Sequence, residues 1–136
     1  MSDELKKRTK RFALNVIAIV EALPRGTAGG VLGKQLMRAG TSVGANYRAA
    51  CKARSPAEFI AKVGVVEEEA DECCYWMELI TESKLTKDAR IELLHKEADE
   101  LTRQSWPRRE KLPHAAFARK RRALLKFGIR SSAFGI

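Results

Sequence analysis

Three cysteines, two histidines and one dense run of acidic residues are the side chains in this 136-residue chain whose types could do chemistry. A Ser/His/Asp or Cys/His hydrolase needs a histidine beside its nucleophile. His95 and His114 are the two available, and neither stands in a supporting motif. Glu92 and His95 make a Glu-x-x-His pair, whose i, i+3 spacing sets a carboxylate and an imidazole on one helix face. Di-metal bundle sites use two such pairs and two more glutamates; this chain has one pair. Glu67, Glu68, Glu69, Asp71 and Glu72 could add carboxylates, but their heptad positions set most of them off the apolar stripe, the pattern of a solvated face. The glycines between residues 29 and 44 lie inside a helical pattern, not between a strand and a helix, so they are no phosphate cradle. Cys51, Cys73 and Cys74 are odd in number and show neither CxxC nor Cys/His clustering, which reads as buried free thiols in a reducing cytosol. Lys52 and Arg54 give Cys51 the more redox-prone setting of the three. The chain is therefore expected to be cytoplasmic and no enzyme, with no catalytic residue, metal or cofactor.

Basic side chains are more suggestive. Lysine and arginine number 26 against 17 acidic residues, a net charge of +9. From Ser105 to Ile136 stand Arg108, Arg109, Lys111, Arg119, Lys120, Arg121, Arg122, Lys126 and Arg130, against Glu110 alone. Of the totals, seventeen basic and sixteen acidic residues are left for positions 1–104. The charge belongs to the C-terminal tail. Within the first part, Lys6, Lys7, Lys10 and Arg11 gather at the start of one helical segment, and Arg38, Arg48, Lys52 and Arg54 toward the end of the next. Such cations pair either with acidic helix faces, Glu67–Glu72 being at hand, or with phosphates. Salt bridging is the simpler reading. The candidate nucleic-acid contacts are Arg48, Lys52, Arg108, Arg109, Arg119, Lys120, Arg121, Arg122 and Lys126.

The elements that must position these groups are four helices. Leu5, Phe12, Val16, Ile19 and Leu23 mark the first, from about Asp3 to Leu23 with Ser2 as N-cap, ended by Pro24-Arg25-Gly26-Thr27. Leu32, Leu36, Ala39, Val43, Tyr47 and Ala50 mark the second, from about Ala28 to Ala53, and its interior glycines predict close approach of a neighbouring helix. Ser55, Pro56 and Glu58 fit the N-cap, N1 and N3 positions of a third. Its stripe Phe59, Val63, Val66, Ala70, Cys73, Met77 and Ile80 is widened by Ile60, Cys74, Trp76 and Leu79. A fourth should start at Thr86 and end near Gln104, along Ile91, Leu94, Ala98 and Leu101. Short connections favour an all-α, antiparallel up-down four-helix bundle over residues 1–104. Residues 105–136 form a separate basic extension, with a short helix at most over 115–127. The widened stripe of the third helix and the glycine seam of the second predict self-association. No apolar run approaches the roughly 18–20 residues of a membrane span, and no secretory signal opens the chain.

Gln35-Leu36-Met37-Arg38-Ala39-Gly40-Thr41-Ser42-Val43-Gly44-Ala45-Asn46-Tyr47, followed by Arg54-Ser55-Pro56-Ala57-Glu58-Phe59, resembles the four helix bundle protein family. Its members are also known as intervening-sequence proteins, some being encoded within insertions in large-subunit ribosomal RNA genes. The resemblance covers about Arg11 to Gln104 and carries Arg38, Ser42, Asn46, Arg54, Ser55 and Glu58 over as motif residues. Ala49-Ala50 stand where many members have Glu-Gly. The family implies an antiparallel bundle that assembles as a homo-oligomer, typically a homopentamer, without enzymatic activity. An accessory protein of diversity-generating retroelements with a similar fold binds nucleic acid and a reverse transcriptase. RNA or DNA, or a nucleic-acid-processing protein, are the partners this implies, with no membrane. Arg38, Ser42 and Asn46, spaced i, i+4, i+8, form a polar row that could lock an interface or line a groove; the interface is favoured. Together these readings describe a non-enzymatic oligomeric bundle binding nucleic acid or a nucleoprotein, the rival being a protein-interaction scaffold that binds no nucleic acid.

Overall fold

Apolar residues recurring every three or four positions can be buried together only on a helix, and four helices carry them. A computed structural model describes residues 2–104 and Trp106. In it α1 spans Ser2–Glu21, α2 Thr27–Cys51, α3 Pro56–Glu82 and α4 Arg90–Arg103, and no strand occurs among the described residues. The buried positions are those the spacing predicts: Phe12, Val16 and Ile19 on α1, Leu36, Val43 and Tyr47 on α2, Val66, Ala70, Met77 and Ile80 on α3, and Ile91, Leu94, Ala98 and Leu101 on α4. Each helix packs on the next in sequence, and α4 closes back on α1. Thr9 of α1 faces Gly44 of α2 while Val20 faces Gly33. Arg8 meets Glu97 and Glu100 of α4, while Ala18 and Ile19 share a groove with Arg90 and Leu93. Both pairs therefore run antiparallel, the up-down bundle.

α1 and α2 approach unusually closely. A Cβ built on Gly40 would stand 2.6 and 2.8 Å from the two γ-methyls of Val16, and one on Gly44 3.2 Å from Thr9 Oγ1. The glycine seam is thus filled by a helix of the same chain. The wide apolar surface of α3 is likewise used internally: Ile60 and Cys74 are buried and Trp76 packs on the core, because α3 lies between α2 and α4. Both grounds on which the sequence predicted self-association are consumed within one protomer.

Local chemistry sets the helix ends. Ala22 and Leu23 donate to the carbonyls of Ile19 and Val20, a tightened last turn that closes α1 two residues before the expected end. Gly26, at φ 148°, then turns the chain through a conformation that favours glycine. Ser55 caps α3 as expected, its Oγ accepting from Glu58 N at 3.1 Å, with Pro56 in the first turn. The Glu58 carboxylate reaches back one residue further than a capping box requires, to Arg54 N at 2.7 Å. Two expected caps differ. Ser2 already lies within α1. Thr86 does not start α4: its hydroxyl accepts from Asp88 N at 3.1 Å, and Asp88 accepts from Arg90 N at 3.0 Å, so the helix begins four residues later under the Asp88 carboxylate.

The core extends beyond α4. Trp106 is 2% exposed and its ring centre lies 5.0 Å from that of Tyr47, so this residue belongs to the packing of the bundle. The remainder of the 105–136 extension, with the short helix expected at 115–127, lies outside the described residues.

Gly40→Ala should lower stability by about 1–2 kcal/mol despite alanine's better helix propensity, because Val16 is stiff and cannot retreat. Gly30→Ala, with nothing within 4 Å of the added methyl, should raise stability by up to about 1 kcal/mol. Denaturant melts of both variants check the pair.

Candidate functional site

Two concentrations of polar side chains stand out on the bundle, one half-buried between α2 and α3 and one exposed at the end where α1 begins. The first centres on Arg38. Its guanidinium bonds Glu69 Oε2 through Nη1 at 3.3 Å and Glu72 Oε1 through Nη2, and Trp76 Nε1 donates to the same Glu72 oxygen at 3.1 Å. Glu69 is 2% exposed, which corrects the reading of Glu67–Glu72 as a solvated face. Helical periodicity turns Glu69 and Glu72 toward α2, while Asp71 remains exposed. Burial first, and the neighbouring Glu72 charge second, push the Glu69 carboxyl above its ordinary range, against the opposing pull of Arg38. One guanidinium serves two carboxylates, and its Nε is buried without a partner among the described residues.

Of the polar row Arg38, Ser42 and Asn46, the first reaches across to α3 and the other two bond to carbonyls of α2 itself. Ser42, within reach of the Glu69 carboxylate, donates to the Ala39 carbonyl at 2.8 Å, and Asn46 donates to the Ser42 carbonyl at 2.8 Å. Arg38 ties α2 to α3 within one chain. Ser55 and Glu58 cap α3, and Arg54 contributes its backbone N–H to that cap.

The second concentration arises from the antiparallel register. With Thr9 against Gly44, the opening turns of α1 lie beside the closing turns of α2. Residues 3–11 and 48–54 hold eight basic and two acidic side chains between them. Lys7, Lys10, Arg11, Arg48, Lys52 and Arg54 are all exposed. Arg8 is the exception: its guanidinium grips Glu97 at 2.6 and 3.1 Å, Glu100 at 3.1 Å and Gln104 at 3.0 Å, tying α1 to α4. The two basic groups are each visible in the sequence, but their union needs the helix register. Of the candidate contacts, Arg48 and Lys52 lie here, and Arg108, Arg109, Arg119, Lys120, Arg121, Arg122 and Lys126 lie outside the described residues.

The remaining candidates stay apart. Glu92 is exposed, while His95 stands 3.8 Å from Glu78 on α3, and no group of three or more metal-ligating side chains occurs among the described residues. All three cysteines are free. Burial raises the Cys73 thiol well above its usual range and that of Cys74 to about 12, so neither is a thiolate at neutral pH. Cys51, half-buried, adjoins the Tyr47 hydroxyl, whose own pKa burial raises. On the opposite flank, a groove of about 220 Å³ runs between α1 and α4, past Asn15, Ala18 and Leu93. Leu93 is 73% exposed, and Leu14 and Ile17 of α1 are exposed too. Among the described residues, no helix is long and apolar enough to cross a membrane.

Residues 2–105 match the family model described as 23S rRNA-intervening sequence protein. The chain is also similar to a protein of unknown function from the S23 ribosomal protein family of Bacteroides thetaiotaomicron. The crystal structure of that protein aligns with a TM-score of 0.69 at 32% sequence identity, over 76% of this chain and 93% of that one. No curated protein matches the chain.

Removing Arg38 leaves two carboxylates facing each other in a half-buried site. Arg38→Ala should cost about 3–5 kcal/mol at neutral pH. In the intact protein, native Glu69 binds its proton more tightly than the unfolded chain does. Its contribution to stability is thus full below the ordinary glutamate pKa and is lost as pH rises through the raised native value. Glu69→Gln should flatten that decline. Urea melts of both variants between pH 4.5 and pH 8 read the two effects.

Proposed function

The chain belongs to the 23S rRNA-intervening sequence protein family, and we propose that it is a non-enzymatic, self-associating bundle that binds nucleic acid through its basic end. The observation that carries this reading is the exposed group of Lys7, Lys10, Arg11, Arg48, Lys52 and Arg54, brought together by the opening turns of α1 and the closing turns of α2. Arg38 and Arg8 are neutralised inside the bundle, whereas these six make no ion pair among the described residues. Unpaired cations this close repel one another, and a phosphate backbone relieves the repulsion by releasing its counterions. The basic extension after position 104 adds to the same affinity.

Contacts of this type follow charge and not base sequence, so binding should weaken steeply with salt and tolerate changes of sequence. Lys10→Ala and Arg48→Ala should each weaken binding across unrelated RNA and DNA probes and lower the salt slope by about one. Gel-shift titration from about 50 mM salt upward measures this. Absence of any complex at the lowest salt would sink the reading in favour of a scaffold that binds protein alone.

Self-association is assigned to the α1–α4 flank. Leu93 lines the groove there and stands in water, and Leu14 and Ile17 of α1 are exposed as well. A large apolar side chain left in water beside a groove suits an interaction site. Leu93→Glu should shift the mass measured by light scattering from an oligomer, a pentamer if the family pattern holds, to the 15.2 kDa monomer. A wild-type chain that is already monomeric at micromolar concentration would refute the assignment.

A further inference from the structure

We infer that self-association is head-to-tail: the outer face of α1 in one copy docks on the outer face of α3 in the next. This rests on the self-association reading above and supplies the second surface that the α1–α4 flank would meet.

Each of α1 and α3 packs on both α2 and α4, so the two stand diagonally across the bundle and their solvent faces point in opposite directions. On α1 the face reads Lys7, Lys10, Leu14 and Ile17, exposed at spacings of three and four, with Arg11 beside them. Between Leu5 and Val20 the helix holds five basic residues and no acidic one, with Glu4 and Glu21 at the two ends. Of the five, Arg8 is spent on α4, and Lys6 lies 4.0 Å from Asp3. The groove past Asn15 and Ala18 joins this face to Leu93 of α4, around which Arg90, Glu92 and Lys96 are exposed. On α3 the face reads Asp71, Tyr75, Glu78 and Glu82, likewise exposed and likewise spaced. From Glu67 to Glu82 that helix holds seven acidic residues and no basic one. Arg38 holds Glu69 and Glu72, and Glu67 and Glu68 are half-buried with contacts of their own. Glu78 has the His95 imidazole 3.8 Å away.

Each face thus sets large apolar side chains among charges of one dominant sign. Tyr75 is 54% exposed, and its ring meets that of Trp76 edge-on at 5.1 Å between centres, which holds it as a stiff anchor. Two copies of the α3 face do not suit each other, because Asp71, Glu78 and Glu82 would be driven against like charges as the tyrosines lose water. Two copies of the α1 face meet the same obstacle in Lys7, Lys10 and Arg11. One of each is complementary: Tyr75 settles against Leu14 and Ile17, and the carboxylates come opposite the cations. Contact between two different patches on opposite sides of a molecule repeats from copy to copy, closing into a ring or running on as a filament. Arg48, Lys52 and Arg54 lie at the end of α2, off this stripe, and stay open to phosphate in the assembled state.

The test is complementation between two full-length variants, each with one face spoiled. Leu14→Glu and Tyr75→Glu change exposed positions, and unchanged far-UV circular dichroism checks that both fold. Each alone should sediment as the 15.2 kDa monomer. Mixed in equal amounts, they should form a pair of twice that mass and nothing larger, since each variant keeps the face that the other lacks. A second measurement exchanges the charges: Lys7→Glu with Lys10→Glu, or Asp71→Lys with Glu78→Lys, should each abolish assembly, and all four in one chain should restore it. Assembly of Tyr75→Glu on its own would overturn the α3 face while leaving the α1–α4 flank in place. A mixture that stays monomeric, together with a four-site exchange that does not assemble, would overturn the head-to-tail pairing. A native chain that is monomeric at micromolar concentration would overturn both readings.

Discussion

The backbone of α1 lies against the backbone of α2, and the rest of the architecture inherits its register from that contact. Gly40 and Gly44 leave room for Val16 and Thr9 and for nothing larger. A hydrophobic stripe alone permits a helix to slide by a turn, since one leucine is much like the next in a core. A β-branched side chain seated on a bare glycine does not slide, because every other register sets a Cβ where the valine must go. Fixing α1 on α2 in turn determines which cations become neighbours at the end of the bundle. The basic surface is thereby a by-product of packing, built from residues forty positions apart.

The ionic cluster between α2 and α3 has a different physical character. Taking Arg38, Glu69 and Glu72 out of water is expensive, and an apolar trio of the same volume would stabilise the bundle at least as well. What the cluster adds is direction. A guanidinium that must meet two carboxylates one turn apart on α3 accepts a single rotational setting of that helix. This is a useful constraint, since α3 is apolar on more than one side and could otherwise roll. The cost shows in the raised pKa of Glu69 and in the unpartnered Arg38 Nε.

Much of this was legible in the sequence, and the gaps have physical causes. The four helices follow from apolar periodicity, and the Ser55–Glu58 cap from a local pattern whose donors and acceptors lie within four residues. Local signals fail where two compete: Thr86 and Asp88 both suit a helix start, and the carboxylate, which accepts from Arg90 on two sides, wins. Five acidic residues within six positions have the look of a solvated face, and only the position of Arg38 on α2 shows that two of them turn inward. Trp106 was assigned to the extension because prolines and basic residues follow it. Its burial depends on Tyr47, some sixty residues earlier, and no local pattern announces such a contact. The union of the two basic groups was missed for the same reason.

Trp106 and Trp76 are the two tryptophans of the chain, and they stand in unlike surroundings. One is sealed against a tyrosine at the end from which the extension departs; the other donates to a carboxylate of the ionic cluster, beside Arg38. The molecule therefore carries two optical probes of its own in separate regions. Excited-state quenching at Trp106 reports whether the chain past α4 remains seated. The emission of Trp76 reports on the ionic cluster to which its indole donates. Replacing either indole by phenylalanine leaves a single-wavelength view of the other, so loosening at the exit and rearrangement at the cluster can be followed separately in the same protein.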